Sequence, residues 1–149
     1  MAFIRITKKF SFETAHALSH YDGWCRNIHG HSYVLFVTVG GHTLNEKNHP
    51  KEGMVLDFSI LKKIVLEHII QYFDHCLIIN NSISESALMQ LKKMSERIIT
   101  VPFQPTCENL TIFIADTLNR ELPKEIKLMK VKLYETESSY SEWREEDNK

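Results

Sequence analysis

Between Ala2 and Glu13 the chain alternates, with Phe10 and Phe12 on one side and Lys9, Ser11 and Glu13 on the other. A period of two marks a strand with one buried face, so the pattern predicts a first strand ending in Phe12-Glu13-Thr14-Ala15-His16. A loop carrying Asp22, Gly23 and Asn27 follows. The second strand is expected from His29 to Gly41: its apolar run Tyr33 to Val39 is rich in Val, Tyr and Phe, and it stops at a Gly-Gly pair. Thr43 to Gly53 reads as a polar surface loop. A helix is then expected, capped by Asp57 or Ser59, with Ile60, Leu61, Ile64, Val65, His68, Ile69 and Tyr72 as its apolar stripe and an end near Phe73. Leu77 to Ile79 is a short apolar run, Ser82 to Ser95 a smaller amphipathic helix, and Arg97 to Val101 a candidate extra strand. Thr106 caps a last helix that runs to about Glu121, with Glu108 at the positive end of its dipole. Lys127 to Thr136 alternates again, Tyr140 to Trp143 is its hairpin partner, and the charged tail from Arg144 frays. The expected architecture is α+β, a single domain over residues 1–149 with four antiparallel strands and two helices on one face. Such a sheet has open edges, which oligomerisation would cover.

Composition narrows the partners. A formal net charge of −1 gives no reason to expect a nucleic acid or an anionic membrane. No apolar run approaches a bilayer span, and Met1 to Lys9 lacks the apolar core of a secretory signal, so a cytoplasmic location is expected. Three cysteines at irregular spacing do not make a disulfide framework; Cys76 and Cys107 read as small semi-buried residues. Histidine is the outlier, with eight in the chain and six of them between positions 16 and 49.

Chemistry concentrates in Cys25-Arg26-Asn27-Ile28-His29-Gly30-His31. Residues i and i+2 of a strand share a face, so His29 and His31 can reach one metal ion together. If the first two strands pair, His16 meets them at the same end of the sheet. Three histidines with no fourth protein ligand suit a catalytic zinc with an open position. Alternatively, His16 is a capping or core histidine and the His-x-His pair merely decorates a strand. Cys25 is either a fourth ligand, which would make the site structural, or a reactive thiol beside a cation. Asp74-His75 offers an imidazole oriented by a carboxylate, or simply a polar helix terminus. Glu135 follows Met129, Val131 and Leu133 in register, so it is either a partnered inward carboxylate or an exposed edge residue.

Taken together, Phe12-x-x-x-His16, Cys25-x-x-x-His29-Gly30-His31, Gly53-Met54-Val55-x-Asp57-Phe58, Asp74-His75, Pro105-Thr106-x-Glu108-Asn109 and Glu135-Thr136 resemble the successive motifs of the 6-pyruvoyl-tetrahydropterin synthase / 6-carboxy-tetrahydropterin synthase family, in the family's order and over nearly the whole chain. The resemblance implies the tunnelling fold, with trimers closing a barrel of strands and pairing into hexamers. It implies zinc on His16, His29 and His31, proton transfer by Cys25 with Asp74 and His75, and a pterin anchored by Glu135. Thr106 and Glu108 match a motif near the pterin pocket, which in this family lies between subunits. The implied substrate is the small molecule 7,8-dihydroneopterin triphosphate. The implied outcomes are 6-carboxy-tetrahydropterin with acetaldehyde and triphosphate, towards queuosine, or 6-pyruvoyl-tetrahydropterin, towards tetrahydrobiopterin. The cysteine spacing and the insert from Asn80 to Gln104 favour the first. A relative with glutamate in place of the cysteine makes a folate precursor, and Cys25 argues against that reaction. Two rivals stand outside this scheme: a non-catalytic zinc or pterin-binding module, and a zinc hydrolase, for which the motif His-Glu-x-x-His is absent.

Overall fold

The computed structural model describes residues 1–149. Strands β1 (Phe3–His16) and β2 (His29–His42) pair antiparallel along their whole length, from Phe3 opposite His42 to His16 opposite His29. The alternation survives intact: Phe10, Phe12, Thr14 and His16 are buried, while Lys9, Ser11 and Glu13 are exposed. Strands β5 (Lys127–Tyr134) and β6 (Tyr140–Arg144) extend the sheet beyond β2, both antiparallel. A register shift between Thr38 and Val39 changes the phase of β5, so Leu128 is buried with Val131 and Leu133 although the plain alternation sets it apart.

The sheet has six strands rather than the expected four, in the order β4-β3-β1-β2-β5-β6. The two additions are β3 (Cys76–Asn80) and β4 (Ile98–Val101), linked by helix α3 (Glu85–Lys92). Strand β3 lies parallel to the last three residues of β1, and β4 parallel to β3, so the sheet is mixed. The expectation failed because an apolar run as short as Leu77 to Ile79 carries no period of its own. Helix α3 is shorter than Ser82 to Ser95 and buries none of its residues, which leaves Met89 and Met94 exposed.

One long helical segment starts at α1 (Phe58–Val65), capped by Asp57, whose carboxylate accepts from the Ser59 N–H at 2.8 Å. It continues through a π-turn at Leu66–Ile70 into α2 (Gln71–Phe73). The wider turn shifts the buried stripe by one residue. Leu61 and Val65 are buried before it, Ile69, Ile70 and Phe73 after it, and Tyr72 is left exposed against expectation. Helix α4 (Cys107–Glu121) is capped by the Thr106 hydroxyl, which accepts from Asn109 N–H at 3.2 Å, and it buries Leu110, Ile114 and Leu118. Both helical segments pack on the face of Phe12, Tyr33, Leu35, Val37 and Leu133, forming one core of 24 residues. Each fully buried large apolar side chain contributes about 1.5–3 kcal/mol, so this face fixes the register of β1 on β2. That register places the histidines.

Candidate metal and pterin site

Opposite residues of an antiparallel pair project to the same side. His16 faces His29, and Thr14 faces His31, so all three imidazoles emerge on the helix face at one end of the sheet. Their ligand nitrogens lie within 4.8 Å of one another. Two ring orientations are fixed from behind. His16 Nδ1 donates to the Pro105 carbonyl at 2.6 Å, and His29 Nδ1 donates to the Asn27 carbonyl at 2.7 Å. With the protons held on Nδ1, both Nε2 atoms present lone pairs, and these face each other at 3.0 Å. Two nitrogens on a tetrahedral zinc, at about 2.0–2.1 Å each, stand about 3.3 Å apart. Burial holds the His16 imidazole below its ordinary value of 6.5, outweighing the Pro105 carbonyl and the Glu135 charge. Burial also lowers His31, whose Nε2 is buried with no hydrogen-bond partner. Neutral imidazoles with converging lone pairs and an orphaned buried nitrogen fit a resident cation.

Glu135 stands on the rim of this cluster. Strand β5 ends at Tyr134, so Glu135 sits at the start of the turn, its N–H donating to the Ser139 carbonyl at 3.0 Å. One carboxylate oxygen lies 3.9 Å from His31 Nε2, and the other accepts from the Tyr33 hydroxyl at 3.5 Å. The side chain is 25% exposed, so it is an inward carboxylate with partners rather than an edge residue. Tyr33 is fully buried, and its hydroxyl is 3.5 Å from His16 Nδ1 as well. Burial, with Glu135 beside it, pushes this phenol far above its usual range, so it serves as a neutral donor.

Asp74 and His75 form a pair, Oδ2 to Nδ1 at 3.0 Å. Burial pushes the Asp74 carboxyl up, but the Glu13 N–H at 2.9 Å and His75 outweigh it and hold the group below its ordinary value. Asp74 is extended, with φ −63° and ψ 131°, and His75 has φ 56°. His75 therefore takes a left-handed φ in the turn that follows α2, a backbone region that favours glycine or asparagine. A histidine held there costs of order 1–3 kcal/mol, a strain that points to a role for the ring. His75 and His31 line one cavity of about 570 Å³, with Gly30, Ile28, Leu91 and Met94 on its walls.

Cys25 lies in a short 3-10 turn, Trp24–Arg26, tied back to the end of β1 by the Leu18 N–H on its carbonyl at 3.0 Å. Its thiol is half-buried and near enough to Tyr33 to raise that phenol, but it lies outside the cavity of His75. Thus one chain assembles the three histidines, Tyr33 and Glu135, and separately the Asp74–His75 pair. Thr106 is engaged in capping α4, and Glu108 is exposed in its first turn; neither bonds to the cluster. The second residue of that helix start, Cys107, lies closer: its thiol donates to the Leu133 carbonyl at 3.4 Å. Two contributors went unread in the sequence. Tyr33 follows His31 in register and could have been found by extending the His-x-His face by one step. The Pro105 carbonyl is backbone, with nothing in the sequence to mark it.

A sequence-family model described as 6-pyruvoyl tetrahydropterin synthase matches residues 5–146. The 6-carboxy-5,6,7,8-tetrahydropterin synthase of Haemophilus influenzae is 36% identical, over 95% of this chain and 99% of its own. That of Aquifex aeolicus is 39% identical over 82% of this chain and 76% of its own. A differently named relative, the dihydroneopterin monophosphate aldolase of Pyrococcus furiosus, is 30% identical over 88% and 89%. In structure, the 6-pyruvoyl tetrahydropterin synthase of Caenorhabditis elegans superposes with TM-score 0.68 at 26% identity, covering 97% of this chain and 96% of its own. The matched span runs from β1 through β6 and takes in every residue of the histidine cluster, Glu135 and the Asp74–His75 pair, so the chain belongs to the 6-pyruvoyl tetrahydropterin synthase family.

Proposed function

We propose that this protein is a 6-carboxy-5,6,7,8-tetrahydropterin synthase, a zinc-dependent lyase that converts 7,8-dihydroneopterin triphosphate to the carboxy-tetrahydropterin, acetaldehyde and triphosphate. The observation that carries the proposal is the convergence of His16, His29 and His31 beside Glu135, with two ring tautomers set by backbone carbonyls. Zinc held by those three residues supplies Lewis-acid polarisation of the substrate's side-chain hydroxyls.

The protein's own groups divide the remaining work. Glu135 accepts hydrogen bonds from the pterin 2-amino group and ring N–H, and the Tyr33 hydroxyl holds that carboxylate in place from behind. Burial of the cluster removes competing water and strengthens each of these contacts. Cys25, as thiolate, moves the side-chain protons whose transfer allows triphosphate to leave. Asp74 orients His75, which exchanges protons with the thiol. Because Cys25 neither bonds to His75 nor lines its cavity within one chain, the proposal includes assembly of copies, in which one subunit's pair completes another's thiol. Thr106 and Glu108 belong to the pterin pocket under the same assembly. The identities to the carboxy-tetrahydropterin enzymes favour that product over the pyruvoyl compound.

Substitution at Cys25 separates catalysis from a zinc-stabilised binding module. Cys25→Ala should keep its zinc by elemental analysis and lose about 10²–10⁴-fold in turnover, the usual worth of a positioned acid–base group. Zinc lost with the thiol would instead make Cys25 a structural ligand and remove the basis for catalysis.

A further inference from the structure

The helices cover one face of the sheet and leave the other bare. On the bare face the pairing aligns Thr7, Thr38, Lys130 and Arg144 in one row, and Lys9, Phe36, Lys132 and Glu142 in the next. Arg5 projects to the same side two residues before Thr7. Lysines sit over the aromatic rings of this face: Lys132 Nζ lies 3.8 Å from the Tyr140 ring centre, and Lys9 Nζ lies 5.9 Å from that of Phe36. In a chain with net charge −1, these five cations share this surface with three carboxylates, Glu13, Glu142 and Glu146.

Three of these cations, Arg5, Lys130 and Arg144, converge at one concavity. Arg5, Thr38, Met129, Lys130, Arg144 and Glu146 line a cleft of about 140 Å³. Arg5 joins no ion pair. Arg144 is held by Glu142 at 2.5 Å and, less closely, by Glu146 at 3.4 Å, and Lys130 lies 3.9 Å from Glu142. The buried Thr38 hydroxyl pairs with that of Thr7 at 2.8 Å; when Thr7 donates, the Thr38 proton is free for a ligand. The Glu146 side chain is 62% exposed, so the carboxylate on the outer side of the Arg144 guanidinium can be displaced.

We propose that this cleft is an oxyanion site for free inorganic phosphate or a short inorganic polyphosphate. Two guanidinium forks and an ammonium match such an anion by charge and by paired N–H geometry, and Thr38 adds a neutral donor. The cleft is well below the 300–1,000 Å³ of a typical organic-ligand pocket, so it has no room for a pterin or a nucleoside. It is also remote from the histidines, eleven residues along β1 from Arg5 to His16, or about 35 Å of strand. The inference therefore stands independently of the proposed reaction.

Titration calorimetry of the zinc-loaded protein with inorganic phosphate tests it. Binding should weaken as ionic strength rises, fall about tenfold in Arg5→Ala and tighten in Glu146→Gln, which removes the internal competitor. Arg5 is exposed and makes no side-chain hydrogen bond, so its removal leaves the fold intact. A His16→Ala protein should bind as the parent does. Equal binding by the Arg5→Ala protein, loss of binding in His16→Ala, or tighter binding of a nucleoside monophosphate than of inorganic phosphate would each overturn the assignment.

Discussion

At the scale of single residues, the site depends on protons held in chosen places. His16 and His31 are kept neutral by burial, so the folded protein releases protons that the unfolded chain binds below pH 6.5. Because their folded values are depressed, their contribution to stability is present above pH 6.5 and is lost as pH falls through the folded values. Urea unfolding of the metal-free protein should show stability rising from pH 5 to pH 8, with a smaller rise in His16→Ala; equal slopes in both would contradict the assignment. His75 makes a second prediction. Its left-handed backbone is an expense accepted for the ring, so His75→Asn should raise stability by up to about 1 kcal/mol while turnover falls at least about 10²-fold. Thermal melts and single-point assays on the same preparation check both halves. The spacing of His29 and His31 was legible because it needs only the period of a strand. Their union with His16 was legible because it follows from the pairing of two neighbouring strands. The Pro105 carbonyl behind His16 lies 89 residues away and carries no side-chain signature, so only the packing of α4 on the sheet reveals it.

At the scale of elements, the segment between the helices has a mechanical role that its sequence conceals. Arg97, just before β4, donates to the carbonyls of Gln71 at 2.8 Å, Asp74 at 3.2 Å and Tyr72 at 3.4 Å. It caps the end of the long helical segment and braces the turn that presents His75. Arg97→Ala should keep zinc and the overall fold, cost about 1–2 kcal/mol, and lower turnover through a disordered Asp74–His75 pair. Restoration of activity by Arg97→Lys would show that charge alone suffices; the bonds to three carbonyls predict that it does not. The long amphipathic segments were readable because their periods outlast their ends. Helix α4 begins and ends where its cap and Pro123 indicate, and β1 and β2 alternate as expected. What was not readable was phase: the π-turn after Val65 and the bulge at Thr38 each move a buried stripe by one residue. Strand β3 escaped for the related reason that a short run of buried residues shows no periodicity, whereas β4 falls within the candidate strand Arg97 to Val101 and only its parallel place beside β3 was hidden.

At the scale of the whole molecule, β3 covers only Thr14 to His16 of β1, which leaves the rest of that edge, and all of β6 on its outer side, without a strand partner. Edges of this length, and the lack of a hydrogen bond between Cys25 and His75, the two groups proposed to exchange protons, together predict an assembly of several copies. Sedimentation at micromolar concentration should report a trimer or hexamer, and a monomer that still turns over would contradict the shared site. The family was legible in the sequence because its motifs follow one another in a fixed order; the fold brings His16, His29, His31 and Glu135 to one end of the sheet and leaves Val55 and Asp57 at the other, beside His42. Assembly was expected from the open edges and from the family resemblance, and the edges left bare by β1 and β6 are consistent with it. The central claim meets its most direct test in the products formed when zinc-loaded protein is incubated with 7,8-dihydroneopterin triphosphate. The expected products are 6-carboxy-5,6,7,8-tetrahydropterin and acetaldehyde in equal amounts, with triphosphate released. Accumulation of 6-pyruvoyl-tetrahydropterin without acetaldehyde, or no consumption of substrate by the zinc-loaded protein, would contradict it.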